Sequence, residues 1–392
     1  MNNKRLVFHV LDNFITQNSI TIHTKTESIC LGNKNAGGVT LSVKNDRFFN
    51  NLIASGNLGL GESYINNDFE IIDGTLPDLL DILLAHRLDQ KIKISTQIVL
   101  RVVATRLLDN FKGKANNIKK HYDIGIEIFK SMLDESLTYS CGFLKNENDS
   151  LSVLQQNKYE RITNKINLAD GETVLDIGCG YGGFLVYCAE KFNVSGTGIT
   201  NSKQHKEYAE KIISKKQLKG KVNITLGDYK EAEGKYDKVV SIGMLEHVPR
   251  KEYKAYFSLI RNILNPDGTS LVHFVGCNTY KNIHDPFIQK YIFPNSNQPK
   301  LSEVAHNVEQ QRMAIIDVEN IIRHYRPTAR HWLNNFKANK EKINTTNYPE
   351  SFQRMWEYYL ACCVSAAKYS DSAVYQVLIS HSHLKDIPWK RV

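Results

Sequence analysis

Val174-Leu175-Asp176-Ile177-Gly178-Cys179-Gly180-Tyr181-Gly182-Gly183 decides how this chain reads. Apolar residues around a single acid suit a parallel strand covered on both faces. A glycine-rich bend follows, and then Phe184, Leu185, Tyr187, Cys188 and Ala189 recur at helical spacing. Strand, tight turn and helix in that order form the ligand crevice of a doubly wound α/β sheet. Gly178 and Gly180 permit positive φ and let the backbone approach a ligand where a β-carbon would clash. The dinucleotide fingerprint is Gly-x-Gly-x-x-Gly with an acid about twenty residues on. Here the spacing is Gly-x-Gly-x-Gly-Gly, with Asp176 just ahead of the turn. That version suits a cofactor without a pyrophosphate, of which S-adenosylmethionine is the common one. Asp176, Gly178, Gly180 and Gly182 are its candidate contacts. A nicotinamide or flavin site, or a glycine turn with no ligand, are the alternatives.

Outward from this turn the chain alternates strand and helix. The pattern predicts strands at 173–177, 194–199, 221–226, 236–242 and 269–276, and helices at 183–192, 202–218 and 251–264. Pro266-Asp267-Gly268 reads as a turn into the fifth strand. A helix near 351–368 and a strand at 374–379 close the series. Such a rhythm predicts a parallel sheet with helices on both faces, whose ligands sit beyond the carboxyl ends of the strands. Thr200 and Asn201 end the second strand, where a hydroxyl and an amide can meet a ribose. Asp228 and Tyr229 end the third, offering an acid to an adenine amine and a ring for stacking. Glu246 ends the fourth, and His273 interrupts the apolar fifth, so that the two can share one polar pocket. A core histidine satisfied by the backbone is the ordinary alternative for His273.

The remaining composition narrows the class. A chain of 392 residues fits two domains, expected at 1–120 and 121–392. Fifty basic against 41 acidic residues give a net charge of +9, which favours anionic partners such as phospholipid head groups. No apolar run approaches a bilayer span, and no secretory signal is apparent. Seven scattered cysteines argue for a reducing cytoplasm and against a metal site or a disulfide framework. The first 75 residues are mixed, with short strands expected at 19–23 and 38–43. Residues 76–120 read as helical, with apolar stripes (Leu79, Leu80, Leu83, Leu84; Ile94, Ile98, Val102, Val103, Leu107) among lysines and arginines. Such a segment can lie on an anionic membrane or simply be a solvated face; the cluster favours the membrane.

With these residues in view, the chain resembles the cyclopropane-fatty-acyl-phospholipid synthase family along nearly its whole length. Gly59-Leu60-Gly61-Glu62-Ser63-Tyr64 resembles that family's extra N-terminal domain. His121-Tyr122-Asp123-Ile124-Gly125 and Tyr139-Ser140-Cys141 resemble the segment that closes over the cofactor. Lys290-Tyr291-Ile292-Phe293-Pro294 resembles the substrate-side block, and His324-Tyr325 and Tyr358-Tyr359-Leu360 recur in the C-terminal part. The resemblance implies a Rossmann-like class I methyltransferase sheet with a smaller mixed N-terminal domain. It implies S-adenosylmethionine bound by Tyr139, Ser140, Gly178, Gly180, Thr200 and Tyr229, with Gln204 and His205 nearby. It also implies bicarbonate held by Cys141, Glu246, His273 and Tyr325. Cys363 matches a cysteine often marked as active in the family, although its apolar helical stripe suits a structural role. Three positions depart from the pattern: His205 stands where glutamine is usual, with Gln204 before it, Tyr181 where tryptophan is usual, and Pro249 where glycine is common.

The implied reaction moves a methyl group to the cis double bond of an unsaturated phospholipid acyl chain and closes a ring. An alkene is a poor nucleophile, so the methyl must be held in line and close. The resulting carbocation needs a dry, aromatic-lined tunnel. Ring closure then needs a base within hydrogen-bond reach, and a small anion avoids alkylating the protein. The expected setting is the cytoplasm, at the inner face of the membrane, with no nucleic acid partner and with a homodimer admissible. Methyl-branched fatty acids or another methylated small molecule are the alternative products, and a silent lipid-binding protein is the alternative class.

Overall fold

The computed structural model describes residues 2–88, 124–279 and 285–381. The basic segment 89–120 and His121 to Asp123 lie outside these residues. The described chain divides into two units. The first gathers residues up to 125 with 285–294 and 336–370; the second holds 126–279, 295–335 and 371–381. Two later stretches, 285–294 and 336–370, thus cluster with the N-terminal part.

In the first unit, β1 (Ser19–His23), β2 (Ser28–Gly32), β3 (Gly38–Val43) and β4 (Phe69–Asp73) form a sheet in the order β2-β1-β3-β4. β1 pairs in parallel with β3, and the other pairs are antiparallel. Around them lie α1 (Asn3–Phe14), α2 (Arg47–Ser55), α3 (Asn57–Ile65) and α4 (Leu76–Ala85). α4 starts at a Thr75–Asp78 capping box with Pro77 in its first turn, and buries Leu76, Leu79, Leu80 and Ile82. α3 fits because Gly61 lies against Phe287 and Tyr358; a β-carbon there would come within 2.5 Å of the Phe287 ring.

The second unit carries β5 (Thr173–Ile177), β6 (Ser195–Thr200), β7 (Val222–Leu226), β8 (Tyr236–Ile242), β9 (Leu264–Cys277), β10 (Met313–Asn320) and β11 (Ser372–His381). Their order is β10-β11-β9-β8-β5-β6-β7. The run from β9 to β7 is parallel, and β11 and β10 add antiparallel strands at one side. Helices α5 (Ile126–Met132), α6 (Leu151–Lys165), α7 (Gly183–Phe192), α8 (Lys203–Lys215) and α9 (Tyr253–Ile263) belong to this unit. One core cluster joins Val239, Val272 and Phe274 to Tyr256, Phe257 and Ile260; another joins Val174, Val240 and Leu271 to Ile162, Leu185 and Ala209. Both faces of the sheet are thus covered, as a parallel sheet requires. Pro266 to Gly268 bulge out of the β8–β9 ladder, whose register jumps from Tyr236–Leu264 to Lys238–Thr269. After β9 the chain forms α10 (Pro286–Tyr291), α11 (Leu301–Gln310), β10, α12 (Tyr325–Asn339) and α13 (Glu350–Tyr369) before β11. The strand order reverses between β5 and β8, which sets the ligand crevice at their carboxyl ends.

Candidate functional site

The turn after β5 has the geometry its glycines predict. Gly178, Gly180 and Gly182 all have positive φ, at 79°, 53° and 79°. The amides of Gly178 and Cys179 donate to the Ile199 carbonyl, which ties the turn to β6. The three glycines differ in what surrounds them. A β-carbon on Gly178 would lie 2.7 Å from Met244 Cγ, in the loop after β8. One on Gly182 would press on Ala209 at 3.2 Å, whereas one on Gly180 would meet nothing within 4 Å. Gly178 and Gly182 therefore serve packing, and Gly180 faces open space, where a cofactor can approach its backbone.

Around this turn the sequence-derived cofactor residues fall on neighbouring loops. Thr200 is buried, and its Oγ1 accepts from the Ser202 amide and lies 3.4 Å from His205 Nδ1. Ser202 caps α8 by accepting from the His205 amide. Tyr181 packs on the His205 ring with centroids 4.4 Å apart, and its hydroxyl donates to Gln204 Oε1 at 3.4 Å. Two positions that depart from the family pattern, Tyr181 and His205, are thus in contact with each other. Burial lowers the His205 pKa, which favours the neutral ring. Asn201 is exposed. Asp228 caps the turn after β7 through the Lys230 amide at 2.9 Å. The Tyr229 ring packs edge-on to Tyr256, and its hydroxyl donates to Glu252 at 3.4 Å.

Tyr139 and Ser140 come from the segment after α5. Tyr139 lies between Phe129 and Trp332, with centroids 5.4 and 5.1 Å away, and Phe129 continues to Tyr181. Tyr325 packs edge-on to Trp332. Ser140 sits near Gly243, at the end of β8. Its Oγ accepts from Lys158 Nζ at 2.8 Å, and its carbonyl accepts from Gln155 Nε2 at 2.9 Å. Asp176 is buried with Oδ1 lacking a hydrogen-bond partner, and desolvation pushes it up to about 7 against the pull of Lys158.

Val275 links Glu246 to the apolar cluster on which Cys141 and Tyr325 lie. Glu246 Oε1 accepts the Val275 amide at 2.5 Å. Val275 and Tyr325 pack against the apolar cluster formed by Cys141, Ile321 and Val374. His273 lies two residues earlier on β9, on the same face as Val275, and Gln376 faces it across the β9–β11 ladder, 3.4 Å from His273 Nδ1. Glu246 Oε2 and His273 Nε2 are both buried with no partner. Burial raises Glu246 to about 7, with the Val275 hydrogen bond opposing it. Burial, helped by the charges of Lys158 and Lys165, lowers His273 to about 3, so its ring is neutral. Burial pushes the Cys141 thiol up to about 12, which keeps it protonated and unreactive. Two orphaned polar atoms, Glu246 Oε2 and Nε2 of the neutral His273 ring, fit a small hydrogen-bonding oxyanion, while the Cys141 thiol donates to the Gly142 carbonyl at 3.2 Å. Cys363 lies half-buried on α13, in the first unit.

Sequence reading missed Lys158, Gln155, Val275, Gln376 and Trp332. Lys158 carried a readable signal, because it shares the spacing of Leu151, Leu154, Gln155, Tyr159 and Ile162, the buried face of α6.

The profile of the mycolic acid cyclopropane synthetase family matches residues 110–377. The chain is 35% identical over 346 residues to the cyclopropane-fatty-acyl-phospholipid synthase of Escherichia coli K12, covering 87% of each. It is 29% identical over 290 residues to a probable fatty acid methyltransferase of Pseudomonas putida, covering 71% of this chain and 73% of that one. Among solved structures, mycolic acid cyclopropane synthase CmaA1 complexed with SAH and CTAB matches with a TM-score of 0.62 and 26% identity, over 68% of this chain and 99% of that one. The sheet of the second unit is accordingly that of a class I S-adenosylmethionine-dependent methyltransferase.

Proposed function

This chain belongs to the mycolic acid cyclopropane synthetase family, and on that premise we propose that it cyclopropanates unsaturated acyl chains of membrane phospholipids. The observation that carries the reading is the pair of buried, partnerless atoms, Glu246 Oε2 and His273 Nε2, at the carboxyl end of the sheet. S-adenosylmethionine would supply an electrophilic methyl group on a sulfonium. The overall change breaks the sulfur–methyl bond, forms two carbon–carbon bonds to the former alkene carbons and releases one proton.

Each part of the pocket has a task in that change. The glycine turn, Thr200 and the aromatic wall of Tyr139, Phe129 and Trp332 would fix the donor and exclude water. The same rings would soften positive charge on the acyl chain. A hydrogencarbonate ion held by Cys141, Glu246, His273 and Tyr325 would serve as the small base for the released proton. Glu246 can hold or give up a proton near neutrality, so it can share one with a neighbouring anion instead of repelling it. His273 stays neutral and can orient the same oxygen atoms. The lipid would be met at an anionic membrane surface, where the net charge of +9 assists encounter. No helix among the described residues is long and apolar enough to cross a membrane.

A methyl-branched product is the second reading, in line with the name of the Pseudomonas putida relative. The deciding experiment expresses the chain in a bacterium lacking cyclopropane lipids and analyses its phospholipid fatty acids by mass spectrometry. Proton NMR of the ring methylene separates a cyclopropane from an isomeric methylated alkene. Unmodified fatty acids would exclude both.

A further inference from the structure

Lys158 is a buried lysine that the chemistry above does not use. It is fully buried on α6, and its Nζ donates to Ser140 Oγ at 2.8 Å, a neutral partner. Lys165, seven residues on along the same helix, shows the contrast: it pairs with Asp317 at 3.1 Å and Glu319 at 2.8 Å. A buried ammonium held only by a hydroxyl and by the Tyr159 ring, 4.7 Å from its centroid, is expensive unless an anion shares its surroundings. Desolvation pulls Lys158 down to about 7, opposed by the ionisable groups of Asp134, Cys141 and Asp176, of which the Cys141 thiol stays protonated. Its field in turn reaches Cys141, Asp176 and His273. Two of these belong to the group of Cys141, Glu246, His273 and Tyr325, and Ser140 is covalently adjacent to Cys141. That group already contains a buried carboxyl, so an added oxyanion needs a nearby positive charge.

We propose that Lys158 is a positioning residue that supplies the counter-charge for a small oxyanion held by Cys141, Glu246, His273 and Tyr325. The proposal rests on the anion pocket described above. Holding Ser140 also places the charge at the middle residue of the Tyr139–Cys141 segment, between Tyr139 on the cofactor side and Cys141 on the anion side. Asp176 is the competing counter-ion; with Asp176 as its partner, Lys158 would leave anion binding unaffected.

The test uses the purified full chain, with sodium hydrogencarbonate as the probe and sodium chloride at matched ionic strength as control. Melting temperature against hydrogencarbonate concentration gives an affinity without turnover; half-activating concentration and KM for S-adenosylmethionine give the kinetic side. In Lys158→Met the half-saturating hydrogencarbonate concentration should rise roughly tenfold or more, with KM for S-adenosylmethionine little changed. Lys158→Arg, which keeps the charge, should stay close to the parent. If the Met variant does not fold, Lys158→Gln takes its place. A parent indifferent to hydrogencarbonate in both readouts removes the anion pocket and this proposal together. A responsive parent matched by an equally responsive Met or Gln variant overturns the role of Lys158 and leaves the pocket standing. Equal loss in the Met and Arg variants would mean that side-chain shape, not charge, is what the site needs, and would also overturn it.

Discussion

Gly180 and Glu246 show how single residues divide packing from chemistry. Gly180 has φ of 53° and open space beside it, so Gly180→Val adds backbone strain of about 1 kcal/mol but no clash with protein. Calorimetry should find S-adenosylmethionine binding lost while the fold survives; unchanged affinity would sink the cofactor assignment. Glu246 makes a prediction with a sign. The folded carboxyl titrates near 7, against a usual value of 4.5. The stabilisation of its protonated form is therefore fully present below pH 4.5 and is lost as pH rises through 7, a difference of ~3 kcal/mol. Glu246→Gln carries no such penalty. Its melting temperature relative to the parent should climb by roughly 5 °C or more between about pH 5 and pH 8, and a flat difference would show the carboxyl to be solvated. The same variant, with His273→Ala and Tyr325→Phe, should lower turnover by roughly 10²-fold or more, with S-adenosylmethionine affinity nearly unchanged. Full activity in all three would move the search for the base elsewhere.

At the scale of elements, legibility follows local pattern. β1, β3, β5 and β8 carry enough apolar or alternating character to be read at their observed bounds. β2, β4 and β10 were not read, because they are short or only partly buried, and β10 in particular shows no alternation of buried and exposed positions. The loops expected to meet a cofactor could be located because strand ends in this fold are ligand sites wherever the strands themselves can be recognised. Lys158 was not, because lysine on a helix reads as solvated until the helix face is counted. The edge strand β10 packs Met313, Ile315 and Val318 on one core cluster and Ile316 on the other, and ions add to its hold. Arg161 forks onto Glu319 with two bonds of 2.7 Å, and Lys165 reaches the same carboxylate. These partners outweigh burial and hold Glu319 below its usual value. Its contribution is therefore present above the unfolded value of 4.5 and fades as pH falls through the lower folded one. Glu319→Gln takes the carboxylate from Arg161 and leaves Lys165 with Asp317, and should cost roughly 3 kcal/mol at neutral pH. Thermal melts should show that deficit shrinking in acid; a deficit independent of pH would mean that the loss is one of shape, not charge.

At the scale of the whole molecule, the gathering of 285–294 and 336–370 with the N-terminal unit has no local signature, since it depends on partners hundreds of residues apart, such as Tyr358 and Asn57. Charge is the global property that sequence does report. The surplus of +9 and the lysines and arginines of segment 89–120, which lies outside the described residues, motivate a role for that segment at anionic bilayers. Each basic side chain near such a surface contributes ~1 kcal/mol, screened over a Debye length of about 8 Å at physiological ionic strength. Reversing four of them, with Lys112→Glu, Lys114→Glu, Lys119→Glu and Lys120→Glu, should therefore weaken sedimentation with phosphatidylglycerol-containing vesicles by tenfold or more. Binding of the parent should fall steeply as salt is raised. Turnover on lipid already dispersed in detergent should fall much less, because the charge acts on encounter with the surface and not on the reaction. A quadruple variant that sediments as well as the parent would make the segment a solvated face and leave lipid access to the apolar surface of the protein.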